Sequence, residues 1–376
     1  YGKGGEEMRS RLNILDTLLW LGEMGKDTIA YSDVDYLVIT LLEYQKLENI
    51  PSSLLPSTLP PLLDWACPKK AEEAKLFEVN QIKLWEKVTK ARRYSSLTLL
   101  DAVATTRGEG AEAEQFAAAL FQDGEETYLV FRGTDESLTG WKEDFNLAFE
   151  DEIPAERRAL EYLEAIAPKT RRIHILGHSK GGTLALYSAL KAEEETFDKI
   201  EDIVIFDAPG LPDSLTSVER WSRVKDKTRS YIPTFSIVGM LFNTVGKATV
   251  VKSSKLGLLQ HDAFTWLLSG GKFLVEEGVS ERSLKVDHTL KAFLSKASVK
   301  DKEILVETIY RILKATDEEN VWLMPEVAAK RFPEIRKAIS SLSEEEKTTL
   351  MSLFLTLDQA IGNRRKGIDH GKKEKK

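Results

Sequence analysis

Two periods of apolar spacing divide the chain. From Asp33 to Leu47 the apolar positions Val34, Leu37, Val38, Leu41, Leu42 and Tyr44 repeat at helical intervals. Ser32 and Asp35 form a capping box at the start of this helix. A second helix is expected from Lys69 to Tyr94, and residues 6 to about 90 read as helical throughout, broken by a proline-rich loop from Pro51 to Pro61. Trp65 and Trp85 are expected in a core, and no catalytic constellation stands out in this part.

Near Leu97 the period shortens toward two. Leu97–Thr105, Gln115–Gln122 and Thr127–Arg132 read as strands, with Asp123-Gly124 joining the last two as a tight hairpin. Helices are expected over Ser137–Glu150 and Ala155–Ala167. Arg171–His178 is a short buried strand running into the Ala/Leu-rich helix that starts near Gly181. Asp202–Phe206, Ser230–Val238 and Ala248–Val251 are further strands. Strands alternating with helices predict an α/β fold with a mostly parallel sheet. From Ser283 the pattern is helical again, and Ser343 with Glu346 caps a final helix bearing Leu350, Leu353, Phe354 and Leu357. The expected organisation is a helical region over 1–94 packing on the core, an α/β core over 95–282, a helical extension over 283–362 and a charged tail over 363–376.

Composition narrows the partners. The 376 residues are 42% hydrophobic and 30% charged, enough for a sizeable core, and the net charge of −7 argues against a general nucleic-acid binder. The single cysteine, Cys67, excludes an intrachain disulfide framework, suits a reducing compartment and reads as packing. No stretch has the length of an apolar membrane span, and the first residues lack a signal-peptide core. The expectation is a cytoplasmic protein with no integral membrane segment and at most a transient membrane-surface contact through the basic tail. The oligomeric state is left open.

Between the buried strand and the helix after it stands Gly177-His178-Ser179-Lys180-Gly181, a G-x-S-x-G nucleophile elbow. A serine hydroxyl is a weak nucleophile and has to be lifted out of the sheet toward a base. The sharp turn that lifts it crowds the backbone two residues to either side, where Gly177 and Gly181 fit. The Lys180 N–H then faces a developing oxyanion from the helix start. The plain alternative is a glycine-rich turn with a solvated serine.

Phe131-Arg132-Gly133-Thr134 together with the elbow resembles the class 3 lipase branch of the α/β-hydrolases. More closely, the chain resembles an uncharacterised bacterial family related to those lipases. The stretches that carry this likeness are Tyr31–Asp35, Phe131–Phe145, the elbow, Ser236–Met240, Val250–Ser254 and Gln260-His261-Asp262. The resemblance implies an α/β-hydrolase fold, a mostly parallel sheet flanked by helices, with N- and C-terminal helical additions. It implies that Thr134, after the Arg-Gly pair, helps build the oxyanion hole. It also implies that Ser137–Phe149, with Trp141, Phe145 and Phe149 on one face, forms or borders a lid. A helix simply packed on the sheet is the other reading of that segment.

A nucleophilic serine needs a base and an acid, in the chain order nucleophile, acid, base for this fold. His370 lies in the tail and His288 in a charged stretch. His174 is structural, and His178 is expected to point elsewhere. His261, after the last sheet strand, is the expected base. Asp207, Asp213 and Asp226 fit the order for the acid, and Asp207, ending a strand, is preferred. Class 3 lipases carry their acid in an Asp-Ile-Val-Pro-like stretch, where this chain has Ser236-Ile237-Val238-Gly239. Either the acid has moved to Asp207 or the triad is incomplete. Asp144 and Asp262 are taken as structural. No zinc-ligand cluster, His-Glu-x-x-His, Gly-x-Gly-x-x-Gly or Walker loop occurs, so no metal or other cofactor is expected. The expected activity is hydrolysis of a small acyl ester, thioester or lipid-like substrate by Ser179, His261 and Asp207, with Thr134 and Lys180 holding the oxyanion. The alternative is a catalytically impaired protein- or lipid-binding module of the same fold.

Overall fold

The computed structural model describes residues 12–69, 76–107, 114–134, 152–236, 238–242, 245–281, 283–284, 298, 300–301, 304, 308 and 332–352. The chain divides into two compact units, Tyr1–Asp135 with Asp151–Val279, and Glu136–Glu150 with Ser280–Lys376. Of the second, helix Phe332–Ser340 and the capped turn at Ser343, whose amide donates to Glu346 Oε2 at 2.6 Å, are described. The expected final-helix residues Leu353, Phe354 and Leu357, the tail, His288 and His370 lie outside the described residues.

The first unit opens with helices α1 (Ile14–Leu21) and α2 (Asp33–Leu42). Helix α2 begins where the capping pattern places it, with the Ser32 amide and hydroxyl donating to Asp35 Oδ2 at 2.7 and 2.9 Å. It ends at Leu42, earlier than apolar spacing alone predicts, because Glu43 and Tyr44 leave the helix for partners at Arg132 and His178. The stretch expected as a loop holds a two-residue strand, β1 (Ser57–Thr58), too short to carry a period. Of the two tryptophans placed in the core, Trp85 is fully buried but Trp65 is 48% exposed. Trp65 sits on the four-residue helix Leu63–Ala66, whose buried residue is Ala66. Helix α3 (Leu76–Val88) completes the N-terminal layer.

Strands β2 (Thr98–Arg107), β3 (Glu114–Asp123) and β4 (Glu126–Phe131) follow, the last two joined by the two-residue turn Gly124-Glu125. Then come α4 (Pro154–Ile166), β5 (Arg172–His178), α5 (Lys180–Lys191), β6 (Ile200–Phe206), α6 (Arg220–Lys227), β7 (Thr228–Pro233) and β8 (Thr249–Val251). Strand β7 is shorter than the apolar run Ser230–Val238 suggests. Pro233 has no N–H for a further rung, and the chain beyond it turns so that the Phe235 amide donates to Gln260. Two-residue strands β9 (Leu268–Ser269), β10 (Lys272–Phe273) and β11 (Val275–Glu276) close the unit.

Among the described residues nine strands form one sheet, in the order β1-β2-β3-β4-β5-β6-β7-β8-β11. The pairs from β4 to β8 are parallel, and the outer pairs are antiparallel. Successive strand residues face opposite sides. Tyr128, Val130, Leu176, Val204 and Phe206 join the core cluster of α1, α2 and α3. On the other face α5 lies on Ile205, which a methyl group on Gly182 would touch. The N-terminal region is therefore one of the two helical layers of the sandwich.

A row of charges crosses the strands. His174 of β5 is 2.7 Å from Asp202 Oδ1 on β6 and 3.0 Å from Glu126 Oε2 on β4. Arg229 of β7 pairs with Asp202 and with Asp33 at the start of α2. Burial opposes the imidazolium, but the hydrogen bonds and charges of Asp202 and Glu126 outweigh it and hold His174 above its ordinary pKa. A raised histidine pKa adds stability that is fully present below the unfolded-state value and is lost as pH rises through the folded one. His174→Gln is therefore expected to cost about 1–3 kcal/mol near pH 6. Urea denaturation near pH 9 should show a smaller difference from wild type, and an equal loss at both pH values would remove the charge from the explanation.

Candidate active site

The turn between β5 and α5 has the geometry its glycines allow. Ser179 has φ +56° and ψ −134°, a left-handed backbone that non-glycine residues seldom adopt. A Cβ on Gly177 would lie 2.3 Å from the carbonyl of Gly181, and one on Gly181 would lie 2.1 Å from the Phe131 oxygen. Strand, turn, helix and the neighbouring β4 thus meet backbone to backbone. The Ser179 amide donates to the Phe206 carbonyl at 3.0 Å, which ties the elbow to β6. Lys180 is the first residue of α5, and its amide belongs to the helix start, where N–H groups have no acceptor within the helix. Its side chain is buried and donates to the Gln115 carbonyl at 2.9 Å, so the ammonium is directed into β3.

Asp207 follows β6 immediately. His178 and Phe206 are register partners on adjacent parallel strands, so Ser179 and Asp207 leave the sheet side by side. Asp207 also has a left-handed backbone, with φ +42°, and its amide donates to the Tyr231 carbonyl at 2.7 Å. The side chain is 1% exposed. Oδ2 accepts from His261 Nδ1 at 2.7 Å. Oδ1 accepts from the Ser236 hydroxyl at 2.5 Å and the Gly239 amide at 3.2 Å. Of the other aspartates considered as acid, Asp213 opens the short helix Asp213–Thr216 and Asp226 lies in α6.

His261 ends the 3-10 helix Gly257–His261 beyond β8. Its flanks are fixed by Gln260, whose side-chain oxygen accepts from the Phe235 amide at 2.9 Å and whose carbonyl accepts from Trp266 Nε1 at 2.8 Å. Asp262 turns the chain after it, accepting from the Phe264 amide at 3.0 Å, and burial holds its carboxyl above the usual range. His178 was expected to point elsewhere, but its ring lies 4.7 Å from that of His261 and Nε2 bonds the His261 carbonyl at 2.9 Å. Burial, then the neighbouring His261, lowers His178 to about 3 and keeps it neutral.

Thr134 follows β4 and is half-buried. A methyl group on the preceding Gly133 would lie 3.2 Å from Ser179 Cβ, so this segment runs beside the elbow serine. Trp141, Phe145, Phe149 and Asp144 of the expected lid segment lie outside the described residues. Sequence reasoning missed four residues here: Tyr44, from a region in which no site was expected, Gly239, Ser236 as a partner rather than a loss, and His178. Burial pushes the thiol of the half-buried Cys67 up to about 12. Among the described residues, no cluster of three or more His, Cys, Asp or Glu is placed to hold a metal ion. No helix among them is long and apolar enough to cross a membrane.

A sheet with a parallel centre, β4 to β8, whose strand-to-helix turn presents a left-handed serine beside an aspartate–histidine pair defines an α/β-hydrolase fold. The family model described as Mbeg1-like matches residues 88–311, more than half of the chain, and the chain belongs to that family. No curated protein matches it. Among solved structures the chain is similar to the M37 lipase, at 14% identity and a TM-score of 0.36, over 57% of this chain and 70% of that one. It is also similar to the Lip2 lipase of Yarrowia lipolytica, at 15% identity and a TM-score of 0.30, over 50% of this chain and 76% of that one. Neither is close enough to inform the chemistry of this chain.

The elbow gives a direct test of its backbone contacts. Gly181→Ala is expected to destabilise the protein by about 1–3 kcal/mol, because the clash is with a strand carbonyl that cannot rotate away. A denaturation midpoint equal to wild type would mean that the turn relaxes freely.

Proposed function

We propose that the protein is a serine hydrolase that cleaves a small acyl ester, thioester or lipid-like substrate. The observation that carries this reading is the 2.7 Å pairing of His261 Nδ1 with the buried Asp207, one strand over from the elbow serine. A carboxylate only accepts, so the hydrogen of His261 lies on Nδ1, and Nε2 keeps the lone pair that takes a proton. Ser179 Oγ attacks the acyl carbon as Nε2 of His261 removes its proton. The N–H groups of Thr134 and Lys180 hold the oxyanion. His261 then gives the proton to the departing alcohol or thiol, and water, activated by the same imidazole, releases the acid.

Serine at 236 was the main support for a catalytically impaired binding module. Its hydroxyl, donating to Asp207 at 2.5 Å, instead fits an acid that stands just after β6 and is held from position 236. The reading is tested by labelling the full chain with a fluorophosphonate probe, with and without detergent. Wild type is expected to label and Ser179→Ala not to. Asp207→Asn should slow labelling by about 10³–10⁴-fold. Ser236→Ala, which removes one donor from the same carboxylate, should slow it by about 10-fold or more. A folded wild type that stays unlabelled in detergent would leave the binding module as the better account.

A further inference from the structure

Tyr44 reaches the site from the N-terminal layer. Its hydroxyl is 2.6 Å from His178 Nδ1, and the two rings meet edge-on with centroids 5.7 Å apart. A methyl group on Gly133 would lie 2.4 Å from that hydroxyl and 3.2 Å from Ser179 Cβ, so the hydroxyl stands in the wall of the site. On its other side His178 bonds the carbonyl of His261 through Nε2, at 2.9 Å. A carbonyl oxygen cannot donate, so the hydrogen of His178 lies on Nε2. In the neutral ring Nδ1 is then an acceptor, and the Tyr44 hydroxyl donates to it. The bonds run in one direction, from Tyr44 to His178 to the backbone of His261.

His178 is one peptide bond from Ser179, and it grips the residue that would take the serine's proton. Asp207 sets the rotation of the His261 ring through Nδ1, and His178 sets the point from which that ring hangs. We propose that His178, oriented by Tyr44, is a positioning residue that holds His261 at a fixed distance from Ser179, so that the N-terminal layer is part of the hydrolytic machinery. The proposal rests on the serine-hydrolase reading of the site.

The test uses the full chain, with the fluorophosphonate probe and p-nitrophenyl butyrate, on wild type, Tyr44→Phe, His178→Phe and His178→Gln. Loss of positioning costs turnover rather than binding. His178→Phe is expected to lower kcat by about 10²-fold and Tyr44→Phe by about 10-fold, with KM nearly unchanged. His178→Gln, whose amide can donate to the same carbonyl, should recover most of the rate. In ¹⁵N-histidine spectra wild-type His178 should carry its hydrogen on Nε2, a readout that needs no activity and no folded His178→Phe. The proposal is overturned if that hydrogen is on Nδ1, or if wild type labels and the folded variants label equally fast. A wild type that never labels removes the hydrolase reading itself and the positioning role with it.

Discussion

A carboxylate taken out of water has to be met by donors, and Asp207 is almost wholly buried. Its three donors come from three places: the 3-10 helix after β8, the hydroxyl of Ser236 and the amide of Gly239. Satisfying one side chain therefore fixes the loops after β6, β7 and β8 together. The short β7 and the turn beyond it belong to the same requirement. Had β7 continued, its residues would be paired along the sheet instead of bending back over the end of β6. Ser236 ties the set together, its hydroxyl donating to Asp207 and accepting from the Gly239 amide at 2.9 Å.

The end of α2 is held by a second set of buried charges. Arg93 and Asp35 are paired with both side chains fully buried, and Tyr94 adds a bond to the same carboxylate at 2.8 Å. At the other end of the helix Arg132 lies between Glu43 and Glu48. Burial raises the Glu43 carboxyl well above its usual range, with Arg132 opposing the shift. Arg132 stands two residues before Thr134, so the turn after α2, which carries Tyr44, is tied to the segment that follows β4. A buried pair of this kind adds little net stability but costs much when broken.

What could be seen in the sequence was what is written in consecutive residues. The elbow, the β3–β4 hairpin, the start of α2 and the alternation of strands and helices are local patterns, and the fold follows from them. The pairing of Asp207 with His261 was reachable because the chain order expected of the fold restricts where two such partners can stand. Ser236, Tyr44 and His178 were not, since their bonds join residues 29, 134 and 83 positions apart. A tyrosine at apolar helical spacing carries no mark of the histidine it will meet beyond the helix end. Two-residue strands such as β1 and β11 have no period to detect, and Trp65 looked like core because burial depends on what packs over a short helix rather than on residue type.

The order in which the first unit is made differs from the order in which it can close. Helices α1 to α3 are synthesised before any of the strands they cover, so their apolar faces leave the ribosome without a partner. The clasp comes late: the Leu268 amide bonds the Leu12 carbonyl at 2.8 Å, and Arg229 bonds Asp33 across 196 residues. Contacts of such separation are slow to form and leave apolar surface open meanwhile. A nascent chain of this protein thus carries a layer that is not fully closed until Leu268 has been added, and open apolar surface during synthesis is the consequence of placing one helical layer of the sandwich ahead of its sheet.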